Sequence, residues 1–151
     1  MGGLEVVIPA AGVGKRLRPH TYSMPKPLIH VAGKPILGHI LDEVEGLNPS
    51  RIFLVVGHKA HMIADYVKRR RKGLYGLIHQ PEPKGIGHAV LLAGQKLSGG
   101  PLLIVLGDTI FRCDLMPVIK RRRNAIAVKQ VKDASRFGVV DVKDGRIRKI
   151  I

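Results

Sequence analysis

The chain opens with Leu4-Glu5-Val6-Val7-Ile8 and runs directly into Pro9-Ala10-Ala11-Gly12-Val13-Gly14-Lys15-Arg16-Leu17-Arg18-Pro19. A short β-branched run stopped by proline and a glycine-rich loop reads as a buried strand that delivers its loop to one edge of a sheet. Working outward, Pro35 opens a helical pattern with Ile36, Ile40, Leu41, Val44 and Leu47 on one face. Residues 51 to 56 read as a second strand, closed by Gly57, and Met62, Ile63, Tyr66 and Val67 mark a second helix. Residues 74 to 79 read as a third strand, 87 to 97 as a third helix, and 102 to 106 as an apolar strand ending at Gly107-Asp108. Repeated strand–helix alternation predicts a mostly parallel sheet covered by helices on both faces. From Ala125 the rhythm changes. A strand is predicted from Ala125 to Val131, and Asp144-Gly145 between two apolar runs predicts a C-terminal β-hairpin. The sequence stops at Ile151 inside an apolar strand, which reads as a fragment of a longer protein.

The 151 residues fit one domain, and a hydrophobic content of 45% is enough to build a core. No apolar run approaches the length of a membrane span, and the N-terminus lacks the features of a signal peptide. A soluble cytoplasmic protein is therefore expected. The single Cys113 excludes an internal disulfide framework and is expected to be a buried thiol. Twenty-six Lys and Arg against 11 Asp and Glu leave a net charge of +15, much of it in residues 68–72 and 120–123. These runs suit either solvated helix ends or a polyanion surface. Three Tyr, three Phe and no Trp leave few platforms for stacking bases, so nucleic acid is not an expected partner.

The glycine loop resembles two phosphate-binding motifs and satisfies neither. A Walker A loop needs Gly at position 9 and Ser or Thr at 16, where Pro9 and Arg16 stand. A dinucleotide fingerprint starting at Gly12 needs Gly at 17, where Leu17 stands. What remains is still suited to phosphate: small residues let backbone N–H groups approach an anion, and Lys15, Arg16 and Arg18 supply charge. Pro25-Lys26-Pro27 then places a lysine between two stiffening prolines.

Gly12-Val13-Gly14-Lys15-Arg16-Leu17-Arg18-Pro19-His20-Thr21, followed by Pro25-Lys26-Pro27, is similar to the signature of sugar-1-phosphate nucleotidylyltransferases. Lys15 departs from the Thr common there, and Ala11-Gly12 matches the uridylyl branch. Gln80-Pro81-Glu82-Pro83-Lys84-Gly85-Ile86-Gly87-His88-Ala89 resembles the base-reading loop of the thymidylyl and uridylyl members. A carboxamide can donate and accept, which suits a uracil or thymine edge. His88 reads as a structural hydrogen-bonder rather than a catalyst. Leu106-Gly107-Asp108-Thr109 resembles the family's metal-binding strand end, and Arg136-Phe137-Gly138-Val139-Val140 the segment whose glycine meets the sugar.

The resemblance implies a Rossmann-like α/β fold, with residues 1–151 forming the nucleotide-binding domain before a sugar-binding part. It implies transfer of a nucleotidyl group from a nucleoside triphosphate to a sugar-1-phosphate, UTP or dTTP and glucose-1-phosphate being the expected pair, with release of pyrophosphate. Arg16 would stabilise the departing pyrophosphate, and Lys26 the α-phosphate and sugar phosphate. Ala10, Ala11, Gly12, Val13, Gly14, Lys15, Gln80 and Gly85 would hold the nucleotide, Gly138 the sugar phosphate, and Asp108 a Mg²⁺ ion. The family's Glu-Lys-Pro segment and second metal-binding Asp would lie beyond Ile151. A non-catalytic nucleotide-binding or regulatory module is the alternative. Purine-selective and cytidylyl specificities stay open, as does a homo-oligomer.

Overall fold

The computed structural model describes residues 2–14, 17–135 and 137–151. In chain order the elements are β1 (Glu5–Pro9), α1 (His20–Ser23), a 3₁₀ turn (Lys26–Leu28), β2 (His30–Val31), β3 (Lys34–Pro35), α2 (Ile36–Glu45), β4 (Arg51–Val56), α3 (Ala60–Lys68), β5 (Tyr75–His79), α4 (Ile86–Gly94), β6 (Leu102–Ile104), α5 (Met116–Lys120), β7 (Val140–Lys143) and β8 (Arg146–Ile150). β1 pairs in parallel with β4 on one side and β6 on the other, and β4 pairs in parallel with β5, giving the order β5-β4-β1-β6. The predicted α/β class with a parallel sheet and a C-terminal hairpin is the observed one.

The period-2 alternation of strand side chains divides the apolar residues between two layers. Val6, Ile8, Ile52, Leu54 and Val56 point to the face covered by α2 and α3, where they meet Leu37, Ile40, Leu41, Val44, Ile63 and Val67. Val7, Phe53 and Val55 point the other way and meet Ala89 and Ala93 of α4. The strands therefore read as continuous apolar runs because both faces are buried. Each fully buried aliphatic side chain contributes about 1.5–3 kcal/mol relative to exposure. The one buried acid in β1, Glu5, accepts hydrogen bonds from the Ser98 backbone N–H (2.8 Å) and hydroxyl (2.9 Å).

The edges are less covered than the sequence suggests. β6 is an edge strand: Leu103 packs on the core, while Leu102 and Ile104 are 40% and 44% exposed. The predicted strand at Ala125–Val131 does not form. Those residues are exposed and irregular, because strand propensity needs a neighbouring edge and none among the described residues pairs with them. Cys113, expected to be buried, is exposed, since it lies in the irregular stretch between β6 and α5. The hairpin is as read: Asp144 (φ 51°) and Gly145 (φ 69°) both take the left-handed values of a type I′ turn between β7 and β8.

Both basic runs follow helices, but Arg70 is more than a solvated cation. Its Nε donates to Glu45 Oε1 (2.8 Å) and its Nη2 to Asp42 Oδ1 (2.7 Å), while Lys34 pairs with the other Asp42 oxygen and the Tyr75 hydroxyl donates to Glu45. These bonds tie α2 to β3, to the end of α3 and to β5. Burial pushes the Asp42 carboxyl up, yet bonds and charge from Lys34 and Arg70 outweigh it and hold the group below its ordinary 3.8.

Two outcomes are expected from this packing. Leu54→Ala, in a strand paired on both sides, should cost about 2–5 kcal/mol in denaturant unfolding, the usual range for a fully enclosed leucine. A depressed carboxylate stabilises the fold above its unfolded pKa and loses that contribution as pH falls through the folded one. The gap between wild type and Asp42→Asn should therefore be full at neutral pH and vanish below 3.8. It should stay under about 1 kcal/mol because the pair is solvent-screened.

Candidate active site

Because all four strands run the same way, their carboxyl ends share one edge of the sheet, and the order β5-β4-β1-β6 reverses between β1 and β6, where the chain crosses to the other side of β1. That is a topological switch point, where α/β sheets open a crevice. Backbone bonds extend the ladder past the strands: Ala10 N–H to Val55 O (2.7 Å), Gln80 N–H to Val56 O (2.8 Å) and Gly107 N–H to Pro9 O (3.0 Å). Gly107 is needed for this approach, since a Cβ there would sit 2.7 Å from the Pro9 carbonyl oxygen.

A cavity of about 300 Å³ opens at this edge, within the range of small-ligand sites. It is lined by Ala10, Ala11 and Gly12 after β1, Lys26, Gln80 after β5, Gly85 before α4, and Asp108 after β6. Seven of the residues singled out in the sequence thus converge from four separate segments. Val13 and Gly14 are not among the lining residues. Gly14 instead backs the site: the Thr21 hydroxyl donates to its carbonyl (3.2 Å), and a Cβ on it would meet the Lys26 side chain at 3.1 Å. Gly138 lies apart, in the exposed approach to β7. Lys15 and Arg16 lie outside the described residues, as does Arg136. The sequence reading did not anticipate the apolar walls, Pro9, Pro27, Pro83, Ile86, Ala89 and Leu106. Such residues carry no chemical signature that separates them from core.

Lys26 begins the 3₁₀ turn between Pro25 and Pro27, and its Nζ lies 2.5 Å from Asp108 Oδ2, across 82 residues of sequence. The Thr109 hydroxyl donates to the other Asp108 oxygen (3.2 Å). Burial raises the Asp108 carboxyl, but the Lys26 bond and charge, with Thr109, prevail and hold it below its ordinary value. Gln80 is almost fully buried: its Nε2 donates to Gly85 O (3.2 Å) and lies 2.9 Å from His88 Nδ1. His88, expected to be a structural hydrogen-bonder, does bond, and its partner is Gln80. No cluster of three or more His, Cys, Asp or Glu suited to a metal occurs among the described residues. A single carboxylate at a phosphate-sized cleft fits Mg²⁺ in the mode where substrate oxygens and water complete its shell.

A parallel sheet with a small-residue loop, a lysine, a buried amide and a carboxylate around one crevice makes this an α/β protein with a ligand-sized cleft at the carboxyl edge of its strands. The chain belongs to the nucleotidyl transferase family, whose model matches residues 5–151. It is 43% identical over 141 residues to the bifunctional protein GlmU of Methanocaldococcus jannaschii, covering 93% of this chain and 33% of that protein. It is 36% identical over 157 aligned residues to the UTP–glucose-1-phosphate uridylyltransferase AglF of Haloferax volcanii, covering 98% of this chain and 64% of that one. A Bacillus anthracis structure assigned as a glucose-1-phosphate thymidylyltransferase, solved with sucrose, superposes with a TM-score of 0.84 at 27% identity, over 97% of this chain and 63% of that one. The chain therefore spans about a third of GlmU and under two thirds of the other two. None of its helices, among the described residues, is long and apolar enough to cross a membrane.

Lys26→Met removes the bond and charge that do most to hold Asp108 down and leaves its burial and the Thr109 bond in place. The Asp108 carboxyl pKa, followed by NMR, should rise above the wild-type value; an unchanged titration would show that the ion pair does not form in solution.

Proposed function

We propose that the chain is the nucleotide-binding part of a nucleotidyltransferase that joins a nucleoside triphosphate to a sugar-1-phosphate, forming a nucleotide-sugar and pyrophosphate. The observation that carries this is the convergence of Ala10–Gly12, Lys26, Gln80 and Asp108 on one crevice, within a chain of the nucleotidyl transferase family. The donor is UTP or dTTP, in keeping with the uridylyl and thymidylyl names of two of the proteins it resembles. Glucose-1-phosphate is the first acceptor to try; the likeness to GlmU widens the set of sugar phosphates worth testing.

The chemistry asks little of the protein beyond placement and charge. A phosphate monoester has a second pKa of about 6, so the attacking oxygen of the sugar phosphate is already ionised at neutral pH and needs no general base. Lys26 is assigned the α-phosphate and the incoming sugar phosphate, and Arg16 the charge that grows on pyrophosphate as it leaves. Gln80 and Gly85 receive the base against the walls of Ile86 and Ala89. Asp108, with phosphate oxygens, would hold Mg²⁺, which supplies Lewis-acid charge to the transferring phosphoryl group. Gly138 is assigned to the sugar side.

Pyrophosphate release with Mg²⁺, across UTP, dTTP, CTP, GTP and ATP paired with a panel of sugar-1-phosphates, tests the reading. UTP or dTTP binding is expected from this chain, and release with either from a protein that also carries the sugar-binding part. Neither release nor triphosphate binding by any pair would sink it. Arg16→Ala should lower turnover by about 10²–10³-fold, the usual cost of losing one transition-state donor. It should leave unfolding free energy within about 0.5 kcal/mol.

A further inference from the structure

The amide of Gln80 could face the cavity with either end, and the two ends read opposite base edges. The surroundings choose between them. The Gly85 carbonyl, 3.2 Å away, can only accept a hydrogen bond, so the atom facing it is the NH₂ group. The same Nε2 lies 2.9 Å from His88 Nδ1, and its second hydrogen points there. His88 Nδ1 must then be a bare acceptor, which makes the ring neutral with its hydrogen on Nε2. Both amide hydrogens are spent. Gln80 Oε1 accepts nothing from any described residue, yet no polar side-chain atom is buried without a partner among them. On a residue only 4% exposed that lines the cavity, the open side of Oε1 is the cavity.

Gly85 makes this arrangement available. Its φ of 88° and ψ of 179° belong to a region that only glycine occupies readily, and it turns the carbonyl back towards Gln80 while that oxygen also accepts the Ala89 N–H of α4 (3.3 Å). His88 sits on the first turn of α4, outside the cavity wall, and reaches the ligand space through the amide alone.

We infer that His88 is a positioning residue for base selection: with the Gly85 carbonyl it locks the Gln80 amide with Oε1 towards the ligand, so the site takes bases that present a ring imino N–H. Those are uracil, thymine and guanine. At the same place cytosine and adenine present a bare ring nitrogen, whose lone pair opposes Oε1 and leaves both acceptors unsatisfied. The inference deepens the proposed function and rests on Gln80 being at the base.

UTP and CTP separate the possibilities because they differ little in size and mainly in which atoms on the pairing edge donate. Their Mg²⁺ complexes would be titrated calorimetrically into wild-type protein and into His88→Asn, His88→Leu and His88→Lys, each checked for a wild-type circular dichroism melt. Wild type should prefer UTP by about tenfold or more, as expected where a hydrogen-bonding site meets the wrong partner. His88→Asn can return an acceptor to Gln80 Nε2 and should keep that preference. His88→Lys offers only donors, so it should turn the amide and shrink the preference to near parity or reverse it. His88→Leu should fall between, while affinity for inorganic pyrophosphate stays at the wild-type level in all three. A purely structural role predicts instead that Leu and Asn behave alike and that every ligand weakens together; that result overturns the inference, as does an intact preference in His88→Lys. Wild-type protein that binds UTP and CTP equally overturns the placement of Gln80 at the base, and the inference with it.

Discussion

β1 is hydrogen-bonded in parallel along its length to β4 and along its first three residues to β6, and the site depends on that placement. Parallel pairing puts the ends of β1, β4, β5 and β6 on one edge, and there Lys26, on the segment after β1, and Asp108, just past β6, come within an ion-pair distance. The register is fixed by burial on both faces. A one-residue slip of β1 would carry Val7 into the α2–α3 layer and Val6 and Ile8 into the α4 layer, exchanging side chains between two cores of different shape. The same slip would move Pro9–Gly12 away from the Gly107 backbone, whose N–H bonds the Pro9 carbonyl at 3.0 Å and where an added Cβ would sit 2.7 Å from that oxygen.

What could be read in advance follows from how local the cause is. β1, β4, α2 and the Asp144-Gly145 hairpin depend on patterns of a few residues, a burial period or a positive-φ pair, and they stand where the sequence places them. Ala125–Val131 has equally good strand composition, but its fate rests on whether another strand offers an edge, which no local pattern encodes. The exposure of Leu102 and Ile104 has the same origin, since an apolar edge strand and an apolar central strand are spelled alike. In the site, the charged and amide residues were legible through the motifs in which they stand, which resemble those of sugar-1-phosphate nucleotidylyltransferases; singly, each also fits an ordinary loop residue. Ile86 and Ala89 were not, because a ligand wall and a core wall are built from the same side chains. Arg70 shows the converse: a residue inside a basic run reads as solvent-facing until its two carboxylate partners, 25 and 28 residues away, are seen.

The Lys26–Asp108 pair sets the electrostatic condition under which ligand enters. Each group is partly withdrawn from water, with side chains 30% and 43% exposed, and each alone would lose hydration without compensation. Paired, they offset that loss and hold the lysine in the crevice, where a flexible four-carbon stem would otherwise sample many rotamers. On the proposed reading an incoming phosphate competes with Asp108 for the same ammonium, so binding exchanges one anion for another at Lys26. That exchange would leave a carboxylate beside a phosphate, a repulsion in a site of reduced dielectric, unless a second positive charge takes the place of the lysine at Asp108. A hard divalent cation would meet that need, and Lys26 and Thr109 hold Asp108 below its ordinary pKa until the ligand arrives. The net charge of +15 does not remove the requirement. Residues 68–72 and 120–123 end helices away from the crevice lining, so the balance at the phosphates is local to the groups that line it.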